Sequence, residues 1–287
     1  MAREIEARAP VRLDLAGGWT DVPPYTHDVG GEVVNCAINI YARAKLTIDG
    51  NEKLNVTYSC DAPVGSGLGT TGAINVALMA AIKGQENAEE LAYQFEALLG
   101  NTGGRQDQWA AKNGGFNHLM FIGDNVEPLP FEPPRSARFW LQKHLVVANS
   151  GIPHVSGELH DRIWKRYADG EQEVIDGLMT IRLAARKMAK GLDQDRRNFV
   201  IEALQDVCNG VDALDPALHA PFRSIVDPLC ASGDVAGWKA LGAGGGGCVA
   251  LLAGHGRQDI VKEACENANW EIIEWDFDDE GLVVNAN

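Results

Sequence analysis

Several features that would assign a chain to a familiar class are missing from this 287-residue sequence. There is no run of about 18 apolar residues of the kind that spans a membrane, and no cluster of Lys and Arg. The formal net charge is −15, which disfavours nucleic acids and anionic membranes as partners. A small anionic ligand stays open, because backbone N–H groups or a metal ion can bind phosphate locally.

The cysteines and the N-terminus lack the usual signals of secretion. The six cysteines are scattered and include no C-x-x-C pair, which is typical of a reduced protein rather than of a disulfide or zinc framework. The first residues, "MAREIEARAPVRL", alternate charged and apolar residues and contain no apolar segment of a signal peptide. We therefore expect a cytoplasmic protein.

The hydrophobic pattern predicts an α+β protein. Strands are predicted over 3–15 and 32–48, and an Asp-Gly pair at 49–50 predicts a two-residue hairpin turn before a third strand. A helix is predicted over about 71–83. A second helix begins after Asn87, whose side chain we expect to cap it.

The composition changes near residue 145, which predicts two domains, 1–145 and 146–287, that pack closely because no long linker separates them. The segment "PRSARFWLQKHLVVANSG" is predicted as strand, and "GWKALG" as the end of a helix that leads into a glycine run. Helical periodicity predicts four helices in this half, over 157–170, 172–190, 194–212 and 257–268.

The segment "VGSGLGTTGA" raises the question of what its glycines do. Gly67, Gly69 and Gly72 match a dinucleotide-binding fingerprint, but the strand before them belongs to a hairpin and not to a parallel βαβ unit. No Lys follows the glycines, which excludes a Walker A loop. Two interpretations remain. The turn and the following helix bind phosphate, with Thr70 and Thr71 as hydroxyl ligands, or one of these threonines is only an N-cap.

Four segments, taken together, resemble the GHMP kinases, the superfamily of galactokinase, homoserine kinase and mevalonate kinase. "APVRLDLAGGWTDVPPY" at 9–25, "APVGSGLGTTGA" at 62–73 and "GWKALGAGGGGCVALL" at 237–252 resemble its three motifs in order. "GGRQDQWAAKNGGFNHLMF" at 103–121 resembles the segment that carries the catalytic aspartate in the sugar kinases. The resemblance implies the GHMP kinase fold, with a ribosomal-S5-like N-terminal domain, a ferredoxin-like C-terminal domain, and a cleft between them for ATP and substrate.

Within this superfamily, two groups of sugar 1-kinases look most similar. "GGWTDVPPY" and "GGEVVN" resemble L-fucokinases, and "GGRQDQWAAKNGGFN" resembles the D-glycero-D-manno-heptose 7-phosphate kinases. The resemblance therefore implies transfer of the γ-phosphoryl group of ATP to the anomeric hydroxyl of a sugar or sugar phosphate, with Mg²⁺. The heptose 7-phosphate is favoured as the acceptor, and L-fucose or another small molecule is the alternative.

The same resemblance implies a role for each motif residue. Asp107 would be the general base that takes the proton of the sugar hydroxyl, and Arg12 the basic residue near the transferred phosphate. Thr71 and Glu96 would hold Mg²⁺ together with phosphate oxygens. The remaining residues are Gly65, Ser66, Gly67, Leu68, Gly69, Thr70 and Thr71 for the nucleotide, Trp19, Asp21, Gly103 and Gly104 for the substrate, and Gly244, Gly245, Gly246 and Gly247 as a brace behind the phosphate loop.

Two departures from the pattern leave a second class of function open. Sugar kinases of this group carry a few dozen more residues between the early strands and the phosphate loop, including part of the adenine pocket, and here a short hairpin takes their place. Thr-Thr-Gly also replaces the more usual Ser-Ser-Ala. A catalytically silent relative that binds sugar or nucleotide is therefore the alternative to a kinase. The assembly state, with a homodimer as one option, also stays open.

Overall fold

The computed structural model describes residues 3–50, 53–63, 65–100, 103–153 and 157–286. In chain order its elements are β1 (Arg3–Ala16), α1 (Pro23–Asp28), β2 (Gly31–Ile48), β3 (Leu54–Cys60), α2 (Thr70–Lys83), α3 (Ala88–Leu98), α4 (Gln106–Asn113), β4 (Phe116–Ile122), β5 (Asn125–Leu129), α5 (Arg135–His144), β6 (Leu145–Asn149), α6 (Gly157–Ala168), α7 (Gln172–Asp193), α8 (Arg197–Leu214), a short 3₁₀ turn (Pro216–Leu218), α9 (Ala220–Ser232), β7 (Val235–Ala240), β8 (Cys248–Ala253), α10 (Gln258–Asn267), β9 (Glu271–Ile273) and β10 (Val283–Ala286).

The first half is built on an antiparallel sheet in the order β10-β1-β2-β4-β5, with β3 also paired to β2. The strand β2 pairs with β4 through its first residues, 31–36, and with β3 through its last, 42–48. Helix α2 packs on β1 and β2 through a buried stripe of small side chains, including Ala73, Val76 and Ala77. This i, i+3, i+4 spacing places the stripe on one helix face and brings the start of α2 close to β1.

The second half contains a four-stranded antiparallel sheet in the order β7-β8-β6-β9. One of its two central strands, β8, "CVALLA", is buried along its whole length. Helices α7 and α8 pack closely where Gly177 meets Gly210, because a Cβ at Gly210 would lie 2.8 Å from the Gly177 carbonyl oxygen. Within the described ranges, none of the helices combines the length and the apolar character needed to cross a membrane.

The two halves share buried surface. Helix α7 contacts both β1 and β2, and side chains such as Val34, Ile181 and Leu252 belong to one apolar cluster. The division at residue 145 stays a prediction. The second sheet begins there, with β6, whereas the last strand of the chain, β10, pairs with β1 in the first sheet.

The predictions for β1, β2 and α2 are confirmed to within one residue at each end. The two-residue turn after β2 is wrong, because Ile48 pairs with Leu54 and residues 49–53 form the connection. The Asp49 side chain closes this longer loop by accepting the Lys53 N–H at 2.9 Å. Asn87 lies at the N-cap position of α3 as predicted, but its side chain makes no capping hydrogen bond and its φ is +53°.

The predicted state is wrong for two segments, one in the second half and one just before residue 145. "GWKALG" belongs mostly to strand β7, where Trp238 and Lys239 are buried beside β8. Pairing with that apolar strand outweighs the local helical preference. "PRSARFWLQKH" is mostly helix α5, with Ala137 and Leu141 buried four residues apart, and the strand β6 begins only at Leu145.

Candidate active site

A cleft of about 520 Å³ opens between the loop after β1, the glycine turn before α2, the start of α4 and the start of α6. It brings together residues that are far apart in the sequence. Of the predicted site residues, those that line the cleft are Arg12, Trp19, Asp21, Gly65, Ser66, Gly67, Gly69, Thr70, Thr71, Glu96, Gly103, Gly104 and Asp107.

The glycine turn has a backbone shape that favours glycine. Gly65, Gly67 and Gly69 have φ of +68°, +74° and +78°, in the left-handed region that side chains with a Cβ rarely adopt. The turn ends at Gly69, which is the N-cap of α2 and offers no capping side chain. The interpretation of Thr70 or Thr71 as an N-cap is therefore wrong. Their hydroxyls lie in the first turn of the helix, beside its positive end.

The third glycine segment packs behind this turn. A Cβ at Gly67 would lie 2.3 Å from the Leu241 carbonyl oxygen, and one at Gly247 would lie 2.7 Å from the Gly65 carbonyl oxygen. The Cys248 N–H donates to the Ser66 carbonyl oxygen at 2.8 Å. The other predicted brace residues contact different neighbours: Gly244 and Gly245 meet Leu218, and Gly246 meets Ile152 and Pro153.

Arg12 and Asp107 form an ion pair at the centre of the cleft. The Arg12 Nε donates to Asp107 Oδ1 at 2.8 Å, and Arg12 Nη2 lies 2.6 Å from the same oxygen. The remaining guanidinium nitrogen, Nη1, donates to the Gly67 carbonyl oxygen at 2.6 Å. Arg12 is only 3% exposed. It therefore ties the carboxylate of α4 directly to the glycine turn.

The approach of Asp107 to α2 depends on a glycine. A Cβ at Gly72 would lie 2.6 Å from the Cβ of Asp107. Gly72 is the glycine of the Thr-Thr-Gly that replaces Ser-Ser-Ala, and it thus provides the space that α4 needs. Asp107 itself lies in the first turn of α4, where the helix dipole favours a carboxylate.

Asp21 is a second carboxylate in the cleft, and it is buried. Its Oδ2 accepts the Gln106 N–H at 3.2 Å, and a Cβ at Gly104 would lie 1.8 Å from the same oxygen. Burial, and then repulsion from Asp107, raise the pKa of Asp21 to about 7. Gly104 therefore makes room for Asp21, and a proton near neutral pH resides on this side chain.

Asp14, two residues after Arg12 on β1, was not predicted as a site residue. Its Oδ2 accepts a hydrogen bond from Lys239 Nζ at 2.7 Å, and both side chains are nearly fully buried. This pair joins β1 to β7. Burial acts to lower the pKa of Arg12, but the nearby charges of Asp107 and Asp14 outweigh it, so that this pKa is raised. The i, i+2 spacing on a strand placed Asp14 on the face of Arg12 and could have identified it.

The loop that carries Trp19 and Asp21 is fixed by its neighbours. Thr20 donates to the Gly17 carbonyl oxygen at 2.7 Å and accepts the Glu32 N–H at 3.1 Å. Trp19 has a φ of +82°, which is unfavourable for a residue with a Cβ. Its ring stacks on His160 of α6 with centroids 5.0 Å apart. His160 and its neighbour Asp161 line the cleft, and sequence reasoning missed both because no local pattern connects α6 to this loop.

The two residues suggested for Mg²⁺ both line the cleft. Glu96 of α3 is 6% exposed and accepts a hydrogen bond from Gln108 Nε2 at 2.9 Å. Thr71 is exposed at the start of α2. Among the described residues, no group of three or more His, Cys, Asp or Glu side chains could hold a metal ion. A cation here would therefore need phosphate oxygens to complete its ligands.

Comparison with known proteins assigns this architecture to a family. Residues 32–115 match the family described as "GHMP kinases N terminal domain". This segment therefore belongs to the GHMP kinase family. The chain is 23% identical to a D-glycero-alpha-D-manno-heptose 7-phosphate kinase of Campylobacter jejuni over 98% of both chains. It is also 27% identical to a mevalonate kinase of Pyrococcus horikoshii, over 75% of this chain and 64% of that protein.

A solved GHMP kinase structure has the same fold. A D-glycero-D-manno-heptose 1-phosphate kinase from Bacteroides thetaiotaomicron superposes with a TM-score of 0.80, at 21% identity and 98% coverage of each chain. The fold prediction is therefore confirmed. Membership of this family is typical of small-molecule kinases that use ATP and Mg²⁺. The relatives are named for different acceptors, so membership alone leaves the acceptor open.

Proposed function

We propose that this GHMP kinase transfers the γ-phosphoryl group of ATP to the anomeric hydroxyl of a sugar or sugar phosphate, with Asp107 as the general base. The observation that carries the proposal is the Arg12–Asp107 pair, which holds a carboxylate against the glycine turn in a single cleft. The heptose kinase relative, similar over 98% of the chain, supports a sugar acceptor.

In this proposal the glycine turn binds the triphosphate. The left-handed residues Gly67 and Gly69 allow backbone amides to approach an anion closely, and the start of α2 adds positive potential. Thr71 and Glu96 would hold Mg²⁺ with phosphate oxygens, and the ion would neutralise charge on the phosphates. The third glycine segment supports the turn from behind through Gly247.

Asp107 then performs the proton chemistry. Its Oδ1 takes both contacts of Arg12, and we assign Oδ2 to the proton of the acceptor hydroxyl. As that proton moves to Asp107, the sugar oxygen forms a bond to the γ-phosphorus. The bond between this phosphorus and the β–γ bridging oxygen breaks, and its electron pair leaves with ADP. Trp19 and Asp21 hold the sugar opposite the turn.

A catalytically silent binding protein is the second candidate, because the region before the glycine turn is short. Strand β3 ends at Cys60, only a few residues before the turn begins at Gly65, and β3 is exposed along most of its length. The alignment with the Campylobacter relative extends over 338 positions, more than the 287 residues of this chain, so that relative has insertions. We propose that the segment missing from this chain contains part of an adenine site.

An ADP-release assay over free sugars, sugar phosphates and mevalonate tests the proposal. We expect ATP-dependent turnover with a sugar and little with mevalonate. Asp107→Asn, purified in the same way, should lower kcat by at least ~100-fold and leave the dissociation constant of ATP within a few-fold by calorimetry. This variant also controls for contaminating kinases. ATP binding without any turnover would favour the silent relative, and turnover of mevalonate alone would overturn the sugar acceptor.

A further inference from the structure

We propose that the acceptor is an uncharged sugar and not a sugar phosphate, an inference that rests on the proposed sugar-kinase function. It concerns the cleft wall formed by the end of β1 and the loop after it, the start of α4 and the start of α6, as distinct from the glycine turn. The charge and the hydrogen-bonding groups of this wall suit hydroxyl groups and oppose a phosphate.

Carboxylates outnumber cations around the cleft. Among the described residues that line it, Arg12 is the single Lys or Arg. That guanidinium is committed to Asp107 at 2.8 Å and to the Gly67 carbonyl oxygen at 2.6 Å. The carboxylates that line the cleft are Asp14, Asp21, Glu96, Asp107 and Asp161. Arg12 balances Asp107, and Lys239 balances Asp14. The like charge that a second phosphate would face, besides the phosphates of ATP, therefore comes from Asp161 and from ionised Asp21.

The Lys and Arg side chains beside the lining are also paired, including Arg162, which follows Asp161 and pairs with Asp215. Lys239 Nζ donates to Asp14 at 2.7 Å. Arg105, next to the lining residues of α4, lies 3.4 Å from Glu90 and stacks 3.8 Å from the centre of the Tyr93 ring. The undescribed residues next to lining residues in the sequence, 64, 101–102 and 154–156, contain neither Lys nor Arg. Among the described residues, a phosphate on the acceptor thus finds no Lys or Arg at the cleft that is free of a carboxylate partner.

Two acceptor atoms of the wall have no hydrogen-bond donor among the described residues. Asp14 Oδ1 and Gln106 Oε1 are buried and have no hydrogen-bond partner among the described residues, and both side chains line the cleft. Such orphaned acceptors favour hydrogen-bond donors over further acceptors in this part of the cleft. Sugar hydroxyls donate, whereas a phosphate dianion only accepts. The groups that suit phosphate, the amides of the glycine turn, lie at the ATP end of the cleft.

Matched pairs of acceptors test this inference. D-Mannose is compared with D-mannose 6-phosphate, and D-glycero-D-manno-heptose with its 7-phosphate, by ADP release and by calorimetric binding. We expect the uncharged member to have the higher kcat/KM, by at least ~100-fold, because like-charge juxtaposition in a partly buried site is strongly unfavourable. Equal or better turnover of the phosphorylated member would overturn this inference and leave the sugar-kinase proposal standing. No turnover and no binding of any sugar would overturn both.

A charge-reversal variant tests the physical cause. Asp161→Lys places a cation on the wall, and Glu158→Lys makes the same change on an exposed residue of α6 that does not line the cleft. The ratio of kcat/KM for the phosphorylated and the uncharged sugar should rise by ~10-fold in the first variant and stay within twofold in the second. Because each ratio is measured on one protein, loss of folded enzyme cancels. An unchanged ratio in Asp161→Lys would overturn the electrostatic argument.

Discussion

Replacing Asp21 by Asn should make the protein more stable at neutral and alkaline pH. Asp21 is 3% exposed, and burial together with Asp107 raises the pKa of its carboxyl to about 7 from an ordinary value of 3.8. Asn has the same shape, carries no charge, and retains an oxygen that can accept the Gln106 N–H. The substitution therefore removes the cost of an ionised, buried carboxylate and little else.

The sign and size follow from proton linkage. The folded protein binds the Asp21 proton more tightly than the unfolded chain, so this contribution to stability is fully present below about pH 4 and is lost as the pH rises to about 7. Each tenfold difference in proton affinity corresponds to about 1.4 kcal/mol. The difference between 3.8 and about 7 therefore corresponds to ~4 kcal/mol at pH 8. The variant cannot lose this contribution.

Urea unfolding of both proteins without ligands, at about pH 4.5, 6 and 8, measures the effect. The transition is followed by tryptophan fluorescence. The free energy of unfolding of Asp21→Asn should exceed that of the wild type by a growing margin as the pH rises, up to ~4 kcal/mol. Asp169→Asn, at an exposed site outside the cleft, is the control and should show no such trend. A margin that does not change with pH would refute the reasoning.

Three further substitutions probe the site. Arg12→Met removes the buried cation that holds the general base, and we expect kcat to fall by at least ~100-fold and stability by ~3 kcal/mol; wild-type kcat in a folded variant would contradict this. Gly67→Ala places a Cβ 2.3 Å from a carbonyl oxygen, whereas Gly65→Ala shares the positive φ and meets nothing within 4 Å among the described residues. Gly67→Ala should lose more stability than Gly65→Ala, by at least ~1 kcal/mol in thermal unfolding. It should also lose more affinity for ATP, measured by calorimetry. Equal losses in the two variants would refute the role of close packing. Lys239→Met leaves Asp14 buried and unpaired and should lower the free energy of unfolding by ~3–5 kcal/mol in urea. Adding Asp14→Asn to this variant should recover most of the loss. No recovery would show that the unpaired charge is not the cause.

Local patterns in the sequence predicted much of the framework. Alternating and helical spacings located β1, β2 and α2, because those spacings reflect which side of one element is buried. Predictions failed where a distant partner decides the state. "GWKALG" forms strand β7 because β8 pairs with it, and the loop at 49–53 follows from the register of Ile48 with Leu54.

The sequence by itself determined which chemical groups are present and in what order: a glycine turn with two threonines, an aspartate after a Gly-Gly-Arg-Gln stretch, and an arginine on the first strand. Only the tertiary structure decided which of them meet. Arg12 and Asp107 are 95 residues apart, and Asp14 and Lys239 are 225 apart. Contacts of this kind depend on the packing of whole sheets and helices. The same packing buries Asp21, and that burial sets the charge state of its carboxyl group.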